Sequence, residues 1–246
     1  MPFIYAVAHI CPSFVLPDAS TKTFGWGTGF FVGDGTDPNC AYLMTAAHVF
    51  DPARSNSRYI GFKLDSVYVR QWFKRMDETD APLVLNESRF TSPQVKYAPS
   101  HDVAVMRLAT EMAVITGNGK INWLETSILA TGADFESGRI WPGQDVLIPG
   151  YPGAAANTPP ARPFLFSGTI VTDPAQPAHI DNGDQDRTIV CQAFSWGGSS
   201  GAPVLCPLAP EPKIIGINTG HFNLGGDSAG VLTTAVRSDV LIELIE

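Results

Sequence analysis

Three short stretches carry side chains suited to acyl transfer. In Ser-Trp-Gly-Gly-Ser-Ser-Gly-Ala-Pro, residues 195–203, Ser199 and Ser200 stand between glycines. Glycine on both sides admits backbone conformations closed to other residues, so that amide N–H groups can converge on one point beside a hydroxyl. A nucleophilic oxygen next to donors aimed at a developing oxyanion is what acyl transfer requires. Without a base and an acid elsewhere, such a stretch is only a turn. Leu-Met-Thr-Ala-Ala-His-Val, residues 43–49, offers the base: an apolar strand runs into two alanines, small enough for close packing, and then His48. A lone histidine behind a strand is ordinarily structural, and a matching carboxylate changes that reading. His-Asp-Val-Ala-Val-Met-Arg-Leu, residues 101–108, supplies one, because Asp102 opens a strand that reads as nearly all buried. A carboxylate there is costly to desolvate unless a donor compensates it, and an imidazole N–H would do so. Asp51, Asp65, Asp77 and Asp80 are alternative acids, but none opens a comparable strand. With Asp102 fixing its tautomer, His48 takes the serine proton and returns it to the leaving group.

Positioning these groups falls to β-structure. The 23 glycines and 20 prolines are scattered, and they cut the chain into short segments rich in β-branched and aromatic residues. Strands are expected at 3–10, 27–33, 41–45, 59–70, 103–108, 146–149, 164–172, 188–192, 202–205, 213–218 and 231–236. A short amphipathic helix over 239–245 follows, capped by Ser238. Many short strands without alternating helices predict an all-β fold of barrels or a sandwich. The least hydrophobic mid-chain connection, 110–125, contains Thr-Gly-Asn-Gly-Lys and marks a boundary between two halves of about six strands each.

The bulk composition bounds the function. A chain of 246 residues, 44% hydrophobic, can bury a large core. A net charge of −8 with no basic run argues against nucleic acid or an anionic membrane surface as partner. No apolar stretch is long enough to span a bilayer. The first ten residues hold no Lys or Arg ahead of their apolar run and make a poor secretory signal. A cytoplasmic location is expected on that basis, or a secreted one if the chain is a trimmed mature form. Cys11, Cys40, Cys191 and Cys206 are widely spaced without a CxxC pair, which removes the usual zinc patterns and makes free thiols the default. The acidic loop 173–187 lacks the spacing of a calcium loop and reads as solvated surface. No metal or organic cofactor is expected.

Taken together, Thr45-Ala46-Ala47-His48, Asp102 to Leu108 and Gly198-Ser199-Ser200-Gly201-Ala202-Pro203 resemble the motifs of the chymotrypsin-like (trypsin-fold) serine proteases, in the order His, Asp, Ser, with about 54 and 98 positions between them. Gly27 to Val32 resembles the strand entering the first barrel, Gly216 to Gly220 the strand lining the substrate cleft, and Gly230 to Thr234 the last strand. The resemblance implies two six-stranded antiparallel β-barrels with the site between them, an N-terminal barrel over 1–115 carrying His48 and Asp102, and a C-terminal barrel over 116–246 carrying Ser200. It selects Ser200 over Ser199 as nucleophile, with His48 as base and Asp102 as its orienter. The N–H groups of Gly198 and Ser200 then form the oxyanion hole. By position, Phe194 is the floor of the primary pocket, Ser195 and Trp196 follow on one wall, and Asn218, Thr219, Gly220 and His221 line the other. No acid stands at Phe194, so a small or medium apolar side chain is expected there in place of Lys or Arg.

The departures from the family pattern inform the reading. Digestive members place an aspartate before the nucleophile, where it receives a freshly cut N-terminus; here that residue is Ser199, and no Ile-Val start follows a cleavage site. Val49 replaces the common cysteine after the histidine. The glycine-framed first strand and Gly-Ile-Asn-Thr are more similar to the bacterial high-temperature-requirement proteases and glutamyl endopeptidases. A serine endopeptidase acting on protein or peptide is therefore expected, with a silent protease-fold binding module or an esterase as alternatives. A regulatory partner stays open.

Overall fold

Strands that separate two hydrophobic cores organise the molecule. In the computed structural model, residues 3–25, 27–34, 41–73, 83–108, 112–116, 121–153, 162–180, 183–208, 210–221 and 229–246 are described. Cys40, Asp77, Asp80, Asp181 and most of the 110–125 connection's Thr-Gly-Asn-Gly-Lys lie outside them.

Among its described residues the first half holds ten strands: β1 (Val7–Val15), β2 (Thr21–Thr23), β3 (Gly27–Gly33), β4 (Ala41–Thr45), β5 (Lys63–Phe73), β6 (Val84–Thr91), β7 (Val95–Tyr97), β8 (Ala104–Arg107), β9 (Met112–Thr116) and β10 (Leu124–Glu125). They form one sheet ordered β7-β8-β4-β3-β1-β5-β6-β9, with β2 on β1 and β10 parallel to β3. The second half holds β11 (Asp145–Gly150), β12 (Phe164–Ile170), a side hairpin of β13 (Ala178–Ile180) and β14 (Gly183–Gln185), then β15 (Thr188–Trp196), β16 (Pro203–Cys206), β17 (Lys213–His221) and β18 (Ala229–Arg237). There β11-β12-β15-β18-β17-β16 close into a six-stranded barrel. The expected pair of barrels is thus a closed barrel and a curled half-barrel. Among the described residues the first sheet stays open, because its path ends on β7 and β9, which pair with β8 and β6 but not with each other. The architecture is that of the chymotrypsin-like fold. Among the described residues, no helix is long and apolar enough to cross a membrane.

Among the described residues, three α-helices punctuate the strands: α1 (Ala47–Phe50), α2 (Gly132–Glu136) and α3 (Asp239–Ile245). The alternation of side chains along a strand explains why β8 reads as continuously apolar. Ala104 and Met106 face the core of the first sheet, with Leu43, Phe31 and Val67, while Val103 and Val105 enter a second core shared by both halves. That shared core also takes Phe30, Met44, Tyr151, Leu205, Ile217, Val240 and Leu241, so α3 packs back against the first sheet. A third core fills the closed barrel. Ser238 was expected to cap α3, but its hydroxyl donates to the Ala130 carbonyl at 2.7 Å and makes no cap. A buried hydroxyl takes whichever acceptor its fixed backbone places in reach, and here that acceptor is in the segment before α2.

Candidate active site

Antiparallel pairing brings two of the three candidate residues together. β4 pairs with β8 at Thr45↔Ala104. Following that register past the strand ends sets Ala47 opposite Asp102, and the Ala47 N–H donates to the Asp102 carbonyl at 3.1 Å. The next residue is His48, in the turn of α1 that begins where β4 stops. Ala46 and Ala47 are fully buried, as the close approach of β4, α1 and β8 demands. The Asp102 carboxylate accepts twice: from the His48 backbone N–H at 2.9 Å and from its ring Nδ1 at 2.6 Å. A carboxylate on Nδ1 leaves Nε2 as the unprotonated ring nitrogen. Both side chains are partly accessible, at 21% and 34%, and both line an open cleft.

Ser200 comes from the other half of the molecule. It lies in the loop between β15 and β16, where Pro203 pairs with Ile217 of β17. The Gly201 N–H donates to Asn218 O at 2.7 Å, and the Thr28 N–H of β3 donates to Ser200 O at 2.8 Å. Gly201 has φ +90, and a Cβ there would lie 2.0 Å from Thr28 O; Gly198 has φ +97, and a Cβ would lie 2.6 Å from Tyr151 O. Both positions therefore require glycine, through conformation and through space. His48, Asp102 and Ser200 line one open cleft of about 620 Å³ with Arg54, Ser55, Pro99, Ser100, His101 and Thr219.

The peptide planes of this loop are set by their carbonyls. Gly197 O accepts from the Gly153 N–H at 2.5 Å, and Ser199 O accepts from the Ala202 N–H at 3.0 Å. In a trans peptide C=O and N–H point in opposite directions. The N–H groups of Gly198 and Ser200 are thus turned away from those donors, and among the described residues neither has a backbone acceptor.

The chain matches the model of the trypsin-like peptidase domain over residues 27–217, a span that contains all three residues. It belongs to that family. Among solved structures, this trypsin-like peptidase is similar to the HtrA-type protease AlgW with a decapeptide, with a TM-score of 0.56 and 17% identity; the match covers 98% of this chain and 63% of AlgW. It is also similar to Deg5, with a TM-score of 0.54 and 17% identity, covering 97% and 86%. At this identity the two structures support the fold. No curated protein sequence matches the chain.

Around the expected pocket, the residues divide by the alternation of β15. Ser195 is buried and its hydroxyl accepts from Asn218 Nδ2 at 3.1 Å, while Asn218 Oδ1 accepts from the Gly220 N–H at 3.0 Å. Thr219, Gly220 and His221 are half-buried on the adjoining edge of β17. Phe194 and Trp196 stand on the other side of β15, 41% and 37% exposed. Their rings continue a row with Phe164 and Phe166. The floor position expected for Phe194 does not match where its ring lies, because period-two alternation turns it away from the face that Ser195 occupies.

Several residues of this neighbourhood went unread in the sequence. Thr28 makes four hydrogen bonds to the loop and its supports, and Thr45 and Tyr151 adjoin it. The only signal was a hydroxyl residue framed by Gly27 and Gly29. Pro99, Ser100 and His101 line the cleft because they lead directly into Asp102.

Proposed function

We propose that this peptidase is a serine endopeptidase that cleaves through an acyl-enzyme. Its mainstay is the ring of His48, held by Asp102 at 2.6 Å in the cleft that Ser200 lines. His48 Nε2 takes the Ser200 proton as Oγ attacks the peptide carbonyl, and the imidazolium is stabilised by Asp102. The N–H groups of Gly198 and Ser200 receive the oxyanion. The protonated His48 then gives its proton to the leaving amine. Water enters on the same base to hydrolyse the ester. The burial of Ser199, 1% exposed, favours Ser200 over it as nucleophile.

Ser195 and Asn218 are neutral and satisfy one another, and among the described pocket residues none is acidic. A neutral, small to medium side chain is the preferred substrate residue before the scissile bond. A peptide or protein substrate is in keeping with AlgW, which was solved with a decapeptide.

A fluorophosphonate probe will label the wild type and Ser199→Ala but leave Ser200→Ala unlabelled, and turnover of a peptide substrate will fall about 10⁵–10⁶-fold in Ser200→Ala. Labelling kept by Ser200→Ala and lost by Ser199→Ala would reverse the assignment. A peptide-library digest dominated by cleavage after Lys or Arg would contradict the neutral pocket.

A further inference from the structure

The side chain of the residue that precedes the nucleophile contributes no hydrogen bond to the loop among the described residues. Ser199 Oγ is buried and has no hydrogen-bond partner among the described residues. Something else must hold the Gly198 and Ser200 amides in line, and the hydrogen bonds converge on one side chain of β3.

We propose that the Thr28 hydroxyl is a positioning residue that fixes the oxyanion loop from the opposite half of the molecule; the proposal rests on the protease reading of the site. Thr28 is fully buried. Its Oγ1 accepts from the Tyr151 N–H at 2.9 Å, and its one proton goes to Gly198 O at 2.8 Å. An N–H can only donate and a carbonyl can only accept, so the direction of this relay is fixed. The backbone of Thr28 is engaged as well: its N–H donates to Ser200 O, and its carbonyl accepts from Thr45 Oγ1 at 2.6 Å. Thr28 therefore grips the carbonyls on both sides of Ser199, and Thr45 holds Thr28 in place.

The consequence for Gly198 follows from its backbone. Its N–H and its carbonyl belong to successive peptide planes that hinge at the Gly198 Cα, where φ is +97 and no side chain resists rotation, so anchoring the carbonyl plane limits how far the plane that carries the N–H can turn. Valine matches threonine in shape and lacks the hydroxyl. Thr28→Val would leave the Tyr151 N–H and Gly198 C=O buried without partners, and the loop would relieve this by turning the Gly198–Ser199 peptide, which frees rotation at Gly198 and loosens the adjoining plane that carries the Gly198 N–H. One oxyanion donor is then misaligned for part of the time. Complete loss of such a donor costs about 10²–10³ in turnover, so partial misalignment will lower kcat about 10–100-fold.

The test compares Thr28→Val with Thr28→Ser, which keeps the hydroxyl. In Thr28→Val, kcat falls by that factor while KM and the pH profile stay as in wild type, since His48 and the pocket are untouched; Thr28→Ser recovers most of the rate. Unchanged kcat in Thr28→Val, a shifted pH profile, or no recovery in Thr28→Ser overturns the assignment. Native-state hydrogen exchange reads the loop without any substrate. The Ser199 amide donates to Trp196 O at 2.9 Å, and its protection should fall at least about tenfold in Thr28→Val relative to the amides of β18, and hold in Thr28→Ser. If the wild type proves inactive the protease reading fails, and this exchange result alone decides the role of Thr28: unchanged protection overturns it. Should Thr28→Val not fold, Thr28→Ala takes its place. Failure of both beside a folded Thr28→Ser makes the hydroxyl a requirement of the fold and overturns the narrower role.

Discussion

His9 shows what burial does to a single titratable group here. It lies on β1, 2% exposed, with its ring stacked on Tyr151 at 5.3 Å. Burial lowers its pKa from 6.5 to about 4, against a smaller upward pull from a hydrogen bond at the Gly25 backbone. An unfolded chain takes up a proton on this residue as pH falls through about 6.5, whereas the folded protein declines it until about 4. Its contribution to stability is therefore complete above pH 6.5 and is lost as pH falls towards 4. Between pH 7.5 and 4.5 this amounts to about 2–3 kcal/mol of unfolding free energy. Urea titrations at the two pH values should show that loss in the wild type, and His9→Phe, which keeps a ring against Tyr151, should show a slope smaller by this amount. An equal slope in both would mean that His9 titrates normally. At this scale type and order pointed to His48, Asp102 and Ser200, and the structure brings all three to one cleft. The sequence was silent on Thr28, since a buried threonine between glycines looks like any strand residue until its partners, 123 and 170 positions away, are known.

Among the elements, β3 and β4 were read to the residue, because both of their faces are packed and their apolar runs start and stop sharply. β6 was missed for the opposite reason. Its inward positions include Asn86 and Ser88, so the alternation that betrays a half-buried strand is carried partly by polar groups. β2 is exposed along its length and left no pattern at all. β15 and β17 run past their expected ends to Trp196 and His221, because β18 continues to pair with both. Pairing of this kind is a property of the partner strand and is not written in the strand itself. Helix α3 was placed correctly, yet its anchor works differently from a cap. Ser238→Ala removes the bond to Ala130 O at the junction of α3 and the barrel. A loss of about 1–3 kcal/mol in denaturant titration is expected, with kcat unchanged, because the tether lies away from the cleft. Fraying of α3 without loss of global stability would instead restore the cap.

For the whole molecule, cohesion comes from three hydrophobic cores, one of them common to both halves. Cys11, Cys191 and Cys206 are buried free thiols. Burial pushes Cys11 and Cys206 up to about 11 and Cys191 up to about 12, which keeps them as unreactive thiols at neutral pH. The melting temperature should therefore agree within about 1 °C with and without dithiothreitol, whereas reduction of a structural disulfide would cost about 2–5 kcal/mol and lower it by several degrees. The all-β architecture was evident from punctuation and strand composition. The openness of the first sheet was not, because closure depends on whether two edge strands meet, and no local feature of β7 or β9 records that. The bond from Thr28 to Gly198 spans 170 positions, so it also has a meaning in time. During synthesis the segment carrying His48 and Asp102 leaves the ribosome long before the loop with Ser200. Contacts of such long range are the slowest to form. Under the proposed function the site is consequently a late product of folding, so that a nascent or half-folded chain does not yet cut itself or its neighbours.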